Sequence, residues 1–286
     1  MSYGEPLMEM PKTDGEVLLR VEALRVAYGR RPPCVDGVSF SVPRGEIVCV
    51  VGGSGSGKST LLRALIGLLP SGGLVEGGSA FLGKRELFRL APYEWSTLRG
   101  RDISVIFRDS SGVFDPIHKI GAQFAEAIRA HKRLNARECD KLTERVLAAV
   151  RLRDPVDVMR SYPFELSGEV IQRVAVAAAM LFRPKLLLAD EPADTLDGAG
   201  RAEVISLLAD LRSRYGTAIL LATRDMGIAA RLADRIGVMQ GGHLVEWGTR
   251  DAVVAAPAHA CTRALLAEAC AEAERRAGID IFPGPG

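Results

Sequence analysis

Gly52-Gly53-Ser54-Gly55-Ser56-Gly57-Lys58-Ser59 is the stretch of this chain whose chemistry is easiest to name. Its spacing is G-x-x-x-x-G-K-[ST], a loop in which glycines let the backbone curl until successive N–H groups point at phosphate oxygens. Lys58 would reach the β- and γ-phosphates of a nucleotide, and the Ser59 hydroxyl would hold Mg²⁺. A Gly/Ser-rich linker could spell the same letters. The flanks decide against that: Ile47–Val51 is an apolar run suited to a buried strand, and Thr60 leads into Leu61–Ile66, which reads as a helix. Strand, loop and helix in that order are the context the motif requires, and the helix N-terminus adds its positive dipole end.

A second run, Leu186-Leu-Leu-Ala-Asp190-Glu191, is an apolar strand closed by two carboxylates. Such a pair is often only solvated loop charge. Beside a phosphate loop it suits nucleotide hydrolysis: Asp190 would hold Mg²⁺ through water, and Glu191 would orient or deprotonate an attacking water.

The elements that must carry these residues alternate. Val17–Tyr28 and Val35–Val42 show the apolar alternation of two antiparallel strands. After glycine-rich punctuation at 72–78, Ser79–Leu82 and Ile103–Phe107 read as further strands. From Ile117 to Val150 the period becomes helical, with Ile120, Phe124, Ala127 and Ile128 on one face and Asn135 as a cap for a helix over Arg137–Arg151. A helix over Gly168–Phe182 then leads to the strand Lys185–Asp190. A helix (Arg201–Tyr215), a strand (Ala218–Ala222), a helix (Asp225–Ala233) and a strand (Ile236–Met239) follow. This is the pattern of an α/β protein with a mostly parallel sheet flanked by helices. Residues 109–166 form a helical insertion, and the segment from 257 is an Ala-rich helix ending in a Pro/Gly coil. There is no internal repeat.

With 286 residues and a net charge of +2, the chain has ample core and no polyanion signature. Its five cysteines lack any C-x-x-C pair, so neither a zinc site nor a disulfide framework is expected. The four histidines are dispersed and suggest no metal site. The N-terminus has no signal-peptide pattern, and no apolar run reaches the roughly 20 residues a membrane span needs.

Tyr162-Pro-Phe-Glu-Leu-Ser167-Gly168, Gln172-Arg-Val174 and the LLLADEP run together resemble the nucleotide-binding subunit of an ABC transporter. Ser167 and Gly168 match the start of that family's signature, Thr195-Leu196-Asp197 its D-loop, and Tyr28 the aromatic residue that stacks on adenine. Ile103–Phe107, Phe114-Asp-Pro116, Val245-Glu-Trp-Gly248 and Cys261–Leu266 resemble the oligopeptide, dipeptide and nickel importers. The resemblance implies an ABC-type ATP-binding domain over residues 17–256 with an antiparallel β subdomain, a helical subdomain at about 109–166, and a tail at 257–286. It also implies ATP and Mg²⁺ as cofactors and a second ATP-binding subunit, identical or different, closing head to tail. The remaining implied partners are membrane permease subunits and, indirectly, an extracytoplasmic substrate-binding protein, with the chain on the cytoplasmic face of the cell membrane.

Three residues depart from that family's pattern: Arg108 in place of Gln, Arg224 in place of the switch His, and Glu169 in place of the second signature Gly. Arginine forks clamp phosphate well, so ATP binding is expected to survive or tighten. Neither arginine takes up a proton, and losing a well-aimed polar group at such a centre costs about 10²–10³ in rate. Hydrolysis is therefore expected to be reduced, with Glu191, Arg108 and Arg224 the residues that set it. In a homodimer, Glu169 of one copy would approach Arg108 or Arg224 of the other and offset its charge. Two alternatives stand beside the transport reading. One is a non-hydrolysing regulatory or structural subunit paired with a competent homologue. The other is a soluble ATPase of the same type outside transport, against which the near-neutral charge and missing basic linker speak, as they do against a nucleic-acid partner.

Overall fold

Ile47, Cys49 and Val51 face one apolar core while Val48 and Val50 face another, so the strand before the glycine loop is buried on both sides. Parallel strands covered by layers on both faces show this pattern. The computed structural model describes residues 15–277. The expectations of a leaderless N-terminus and of a terminal Pro/Gly coil fall wholly or largely outside the described residues.

Chain order explains the layers. Strands β1 (Val17–Tyr28) and β2 (Val35–Pro43) precede β3 (Ile47–Val51), and α1 (Lys58–Leu65) follows the glycine loop. Next come β4 (Gly73–Leu82), β5 (Arg85–Glu86), α2 (Pro92–Leu98) and β6 (Ile103–Ile106). Helices α3 (Ile120–His131), α4 (Ala136–Ala149) and α5 (Pro155–Arg160) interrupt the strands before α6 (Gly168–Ala179) and β7 (Leu186–Asp190). Then follow α7 (Gly198–Tyr215), β8 (Ala218–Thr223), α8 (Met226–Leu232), β9 (Arg235–Gln240), β10 (His243–Thr249), α9 (Arg250–Ala255) and α10 (Ala260–Ala277).

Among the described residues, the larger sheet runs β10-β9-β3-β8-β7-β6 and is parallel except for β10. The smaller, β2-β1-β4-β5, is antiparallel throughout. The α/β class and the antiparallel sheet agree with the sequence. One core lies between the two sheets and around α1, with Leu61, Leu62 and Leu65 facing Phe40, Val48 and Val50. The other lies under the helices, where Phe124, Ile128, Cys139 and Leu147 join Cys49, Leu187 and Leu221. The helical insertion thus shares the core of the large sheet.

Several elements differ from expectation. β4 begins at Gly73, because its glycines are strand residues rather than loop punctuation. Gly78 has φ +85, and a Cβ there would lie 2.5 Å from the Glu22 and Ala23 carbonyl oxygens, opposite a register shift in β1. Glycine is what allows this bulge. The helix expected from Arg201 starts at Gly198, because the Asp197 carboxylate accepts from Gly200 N and caps it. Helices α2, α5 and α9 and strand β10 were not anticipated; each has only six or seven residues in which to show a period.

Candidate nucleotide site

The glycine loop is fixed by close backbone packing. Gly57 has φ +103, and a Cβ there would fall 2.3 Å from the Cys34 carbonyl oxygen. A Cβ at Gly52 would fall 2.3 Å from the Met239 carbonyl and 2.7 Å from Ser56 Oγ. Gly53, Ser54 and Gly55 are exposed along the curl, while Ser56 is buried. Lys58 is 4% exposed and donates from Nζ to Gly52 O at 2.6 Å, Gly53 O at 2.9 Å and Ser56 Oγ at 3.3 Å. Burial lowers its pKa, and the charges of Glu191 and Asp190 oppose that shift. Thr60 lies half-buried in the first turn of α1.

Two carboxylates arrive from the end of β7. Ser59 Oγ donates to Asp190 Oδ1 at 2.8 Å. Burial raises the Asp190 pKa, opposed by that hydrogen bond and by the charges of Arg63, Lys58 and Arg108. Glu191 follows at φ +46, a left-handed backbone that costs a glutamate about 1–3 kcal/mol. Its Oε1 lies 3.7 Å from Lys58 Nζ. Its Oε2 lies 3.3 Å from Arg108 NH1 and 3.4 Å from Arg224 Nε, yet this buried oxygen makes no hydrogen bond among the described residues. The two contacts are ion pairs without hydrogen-bond alignment, and an acceptor site of Oε2 remains for an O–H donor.

Asp194 was missed from sequence. It sits in the loop after β7, and Arg224 NH2 donates to its two oxygens at 2.7 and 2.8 Å. Arg108 NH2 donates to Oδ2 as well. The signal was present: an additional acid three residues beyond Glu191, in a chain with two unexpected arginines to neutralise. Burial tends to raise the Asp194 pKa, but the hydrogen bond and charge of Arg224, with those of Arg108, bring it below the ordinary value.

The other expected site residues lie apart from this cluster. Tyr28 ends β1 half-buried, paired with Gly73, and the loop after it returns to the glycine loop at Cys34. Ser167 caps α6 by accepting from Val170 N, and Gly168 is the first residue of that helix. Ser167 lines a hollow with Glu169, Arg173 and Glu203, away from the phosphate loop. Asp197 caps α7. Glu169 does not stand free: Arg173, one turn on, binds both it and Glu203. The charges expected to compensate between copies each have a counter-ion within one chain.

The profile of the ABC transporter family matches residues 35–194, which include the glycine loop, Asp190 and Glu191. The chain belongs to that family. It is 38% identical over 269 residues to the oligopeptide transport ATP-binding protein OppD of Salmonella typhimurium, covering 93% of this chain and 80% of that one. It is 35% identical to the dipeptide transport ATP-binding protein DppD of Bacillus subtilis, covering 88% and 76%. A 39% identical relative, the peptidoglycan transport ATP-binding protein YejF of Agrobacterium fabrum, is longer, and the match spans 48% of it. Among solved structures, the dimeric ATP-binding cassette MJ0796 bound to ADP and Pi aligns over 81% of this chain with a TM-score of 0.72. The cbiO1 protein of Clostridium perfringens aligns over 93% with a TM-score of 0.73. At 23% identity, both likenesses speak for the fold alone. No described helix is long and apolar enough to cross a membrane.

Proposed function

We propose that this chain is the ATP-binding subunit of a peptide-type ABC transporter, which binds Mg²⁺-ATP and converts that binding into closure against a second ATP-binding subunit. The contact between Ser59 and Asp190 carries the reading. It joins the residue after Lys58 to the strand end that presents Glu191, the arrangement required to hold a triphosphate and its metal together. The names of the peptide-transport relatives support the cargo class. The N–H groups of residues 52–59 and Lys58 would hold the phosphates, Ser59 and Asp190 the Mg²⁺, and Tyr28 the adenine. Bound Mg²⁺ supplies charge neutralisation across the phosphates. Glu191 would accept an O–H from water through Oε2. Ser167, Gly168 and Asp197 would complete the site of the second subunit. Partners are then permease subunits at the cytoplasmic face of the membrane and, through them, a substrate-binding protein outside.

The pairing of Arg108 and Arg224 with Glu191 favours a second reading, in which this subunit binds ATP while a homologue hydrolyses it. ATPase assays of the full chain and of Glu191→Gln separate the two. A rate that drops on substitution supports hydrolysis at Glu191. Equal background rates support the binding-only subunit. Absence of Mg²⁺-nucleotide binding, alone and with its native partners, would refute both.

A further inference from the structure

Strand order β8-β7-β6 brings Arg224, Glu191, Asp194 and Arg108 into one ring, with the two carboxylates after the middle strand and one arginine after each neighbour. The ring stands at the border of the phosphate loop. Arg108 lines a hollow with Ser59 and Asp190, while Asp194, Glu191 and Arg224 line another with Gly53. Glu191 bridges the ring to Lys58. Asp194 presents both oxygens to two guanidinium groups, a set of donors that suits a phosphate equally well.

We infer that Asp194 is a specificity-determining residue, a tethered anion that occupies Arg108 and Arg224 and that a nucleotide's terminal phosphate must displace. The inference rests on the nucleotide reading above. A diphosphate gains nothing from the arginines, whereas a triphosphate competes with Asp194 for them. Asp194 therefore weakens ATP selectively and makes the presence of a third phosphate the event that frees the 191–197 loop leading into α7. The arginines are half-exposed and Asp194 about a quarter exposed, so exchange does not require the core to open.

The test is calorimetric titration of the full chain with ADP and with a β,γ-imido analogue of ATP, each with Mg²⁺. Asp194→Asn is expected to bind the analogue about ten-fold more tightly, the scale of one charge-assisted contact, with ADP within about two-fold of wild type. In an Arg108→Gln/Arg224→Gln background the same Asp194 substitution should give no gain. Asp194→Ala, read in the same two backgrounds, checks that the effect belongs to the lost anion and not to the new amide. An equal gain for both nucleotides, no gain for either, or a gain that persists without the arginines would overturn the inference while leaving the nucleotide reading intact. Failure of wild type and every variant to bind either nucleotide would overturn both.

Discussion

Ser59 Oγ donates to Asp190 Oδ1 across 2.8 Å, the direct polar link between the first turn of α1 and the last residue of β7. Both groups are ligands of the hard, oxygen-seeking kind that Mg²⁺ takes. Ser59→Ala and Asp190→Asn should each reduce the enhancement of nucleotide affinity by Mg²⁺ by about ten-fold or more, since loss even of outer-shell partners costs that much. Titrations with excess Mg²⁺ and with chelator measure it. An unchanged Mg²⁺ dependence would remove these residues from the metal site.

Gly57 and Gly53 make a matched pair. At Gly57, φ +103 and a carbonyl 2.3 Å from the would-be Cβ leave no room for alanine. Gly53 has open space and no positive φ. Gly57→Ala should destabilise the chain by about 1–3 kcal/mol in urea unfolding, whereas Gly53→Ala should stay within about 0.5 kcal/mol.

Glu246 anchors the C-terminal helix from outside. Its carboxylate accepts from Ala258 N, His259 N and the Thr262 hydroxyl around the start of α10. Burial tends to raise its pKa, but those hydrogen bonds and the nearby His259 bring it below the ordinary 4.5. The ionised form is thus favoured by folding. The stability it adds is complete above pH 4.5 and is lost as pH falls through the lower folded value. The melting temperature of Glu246→Gln should lie below wild type at neutral pH, and the gap should close in acid. A gap independent of pH would assign the loss to packing.

Asn135 caps α4 in a reciprocal box with Glu138. Asn135→Ala should cost about 1 kcal/mol in denaturant unfolding. The nucleotide affinity should not move, because this cap lies in the helical insertion.

What the sequence disclosed was local. The glycine loop is written in adjacent residues, and the apolar strand ending in Asp190-Glu191 needs no distant partner to be recognised. Asn135 was legible as a cap for the same reason. The pair Glu169–Arg173 was legible too, at the four-residue spacing of one helical turn, but the sequence reading sent Glu169 toward another copy. Asp194 could not be placed locally, because its partners lie 86 and 30 residues away and meet it only through the strand order β8-β7-β6. The glycines of β4 misled for a physical reason: the residue that breaks a strand in isolation is also the one that permits a bulge within it.

The five residues of β3 project alternately into the two apolar cores, and the strand runs straight into the cradle. Neither core can melt without loosening that cradle, so ligand occupancy is thermodynamically linked to both. Hydrogen exchange should therefore slow in the antiparallel sheet and in the helical layer together when nucleotide is added, making one small loop the keystone against which both halves of the molecule are braced.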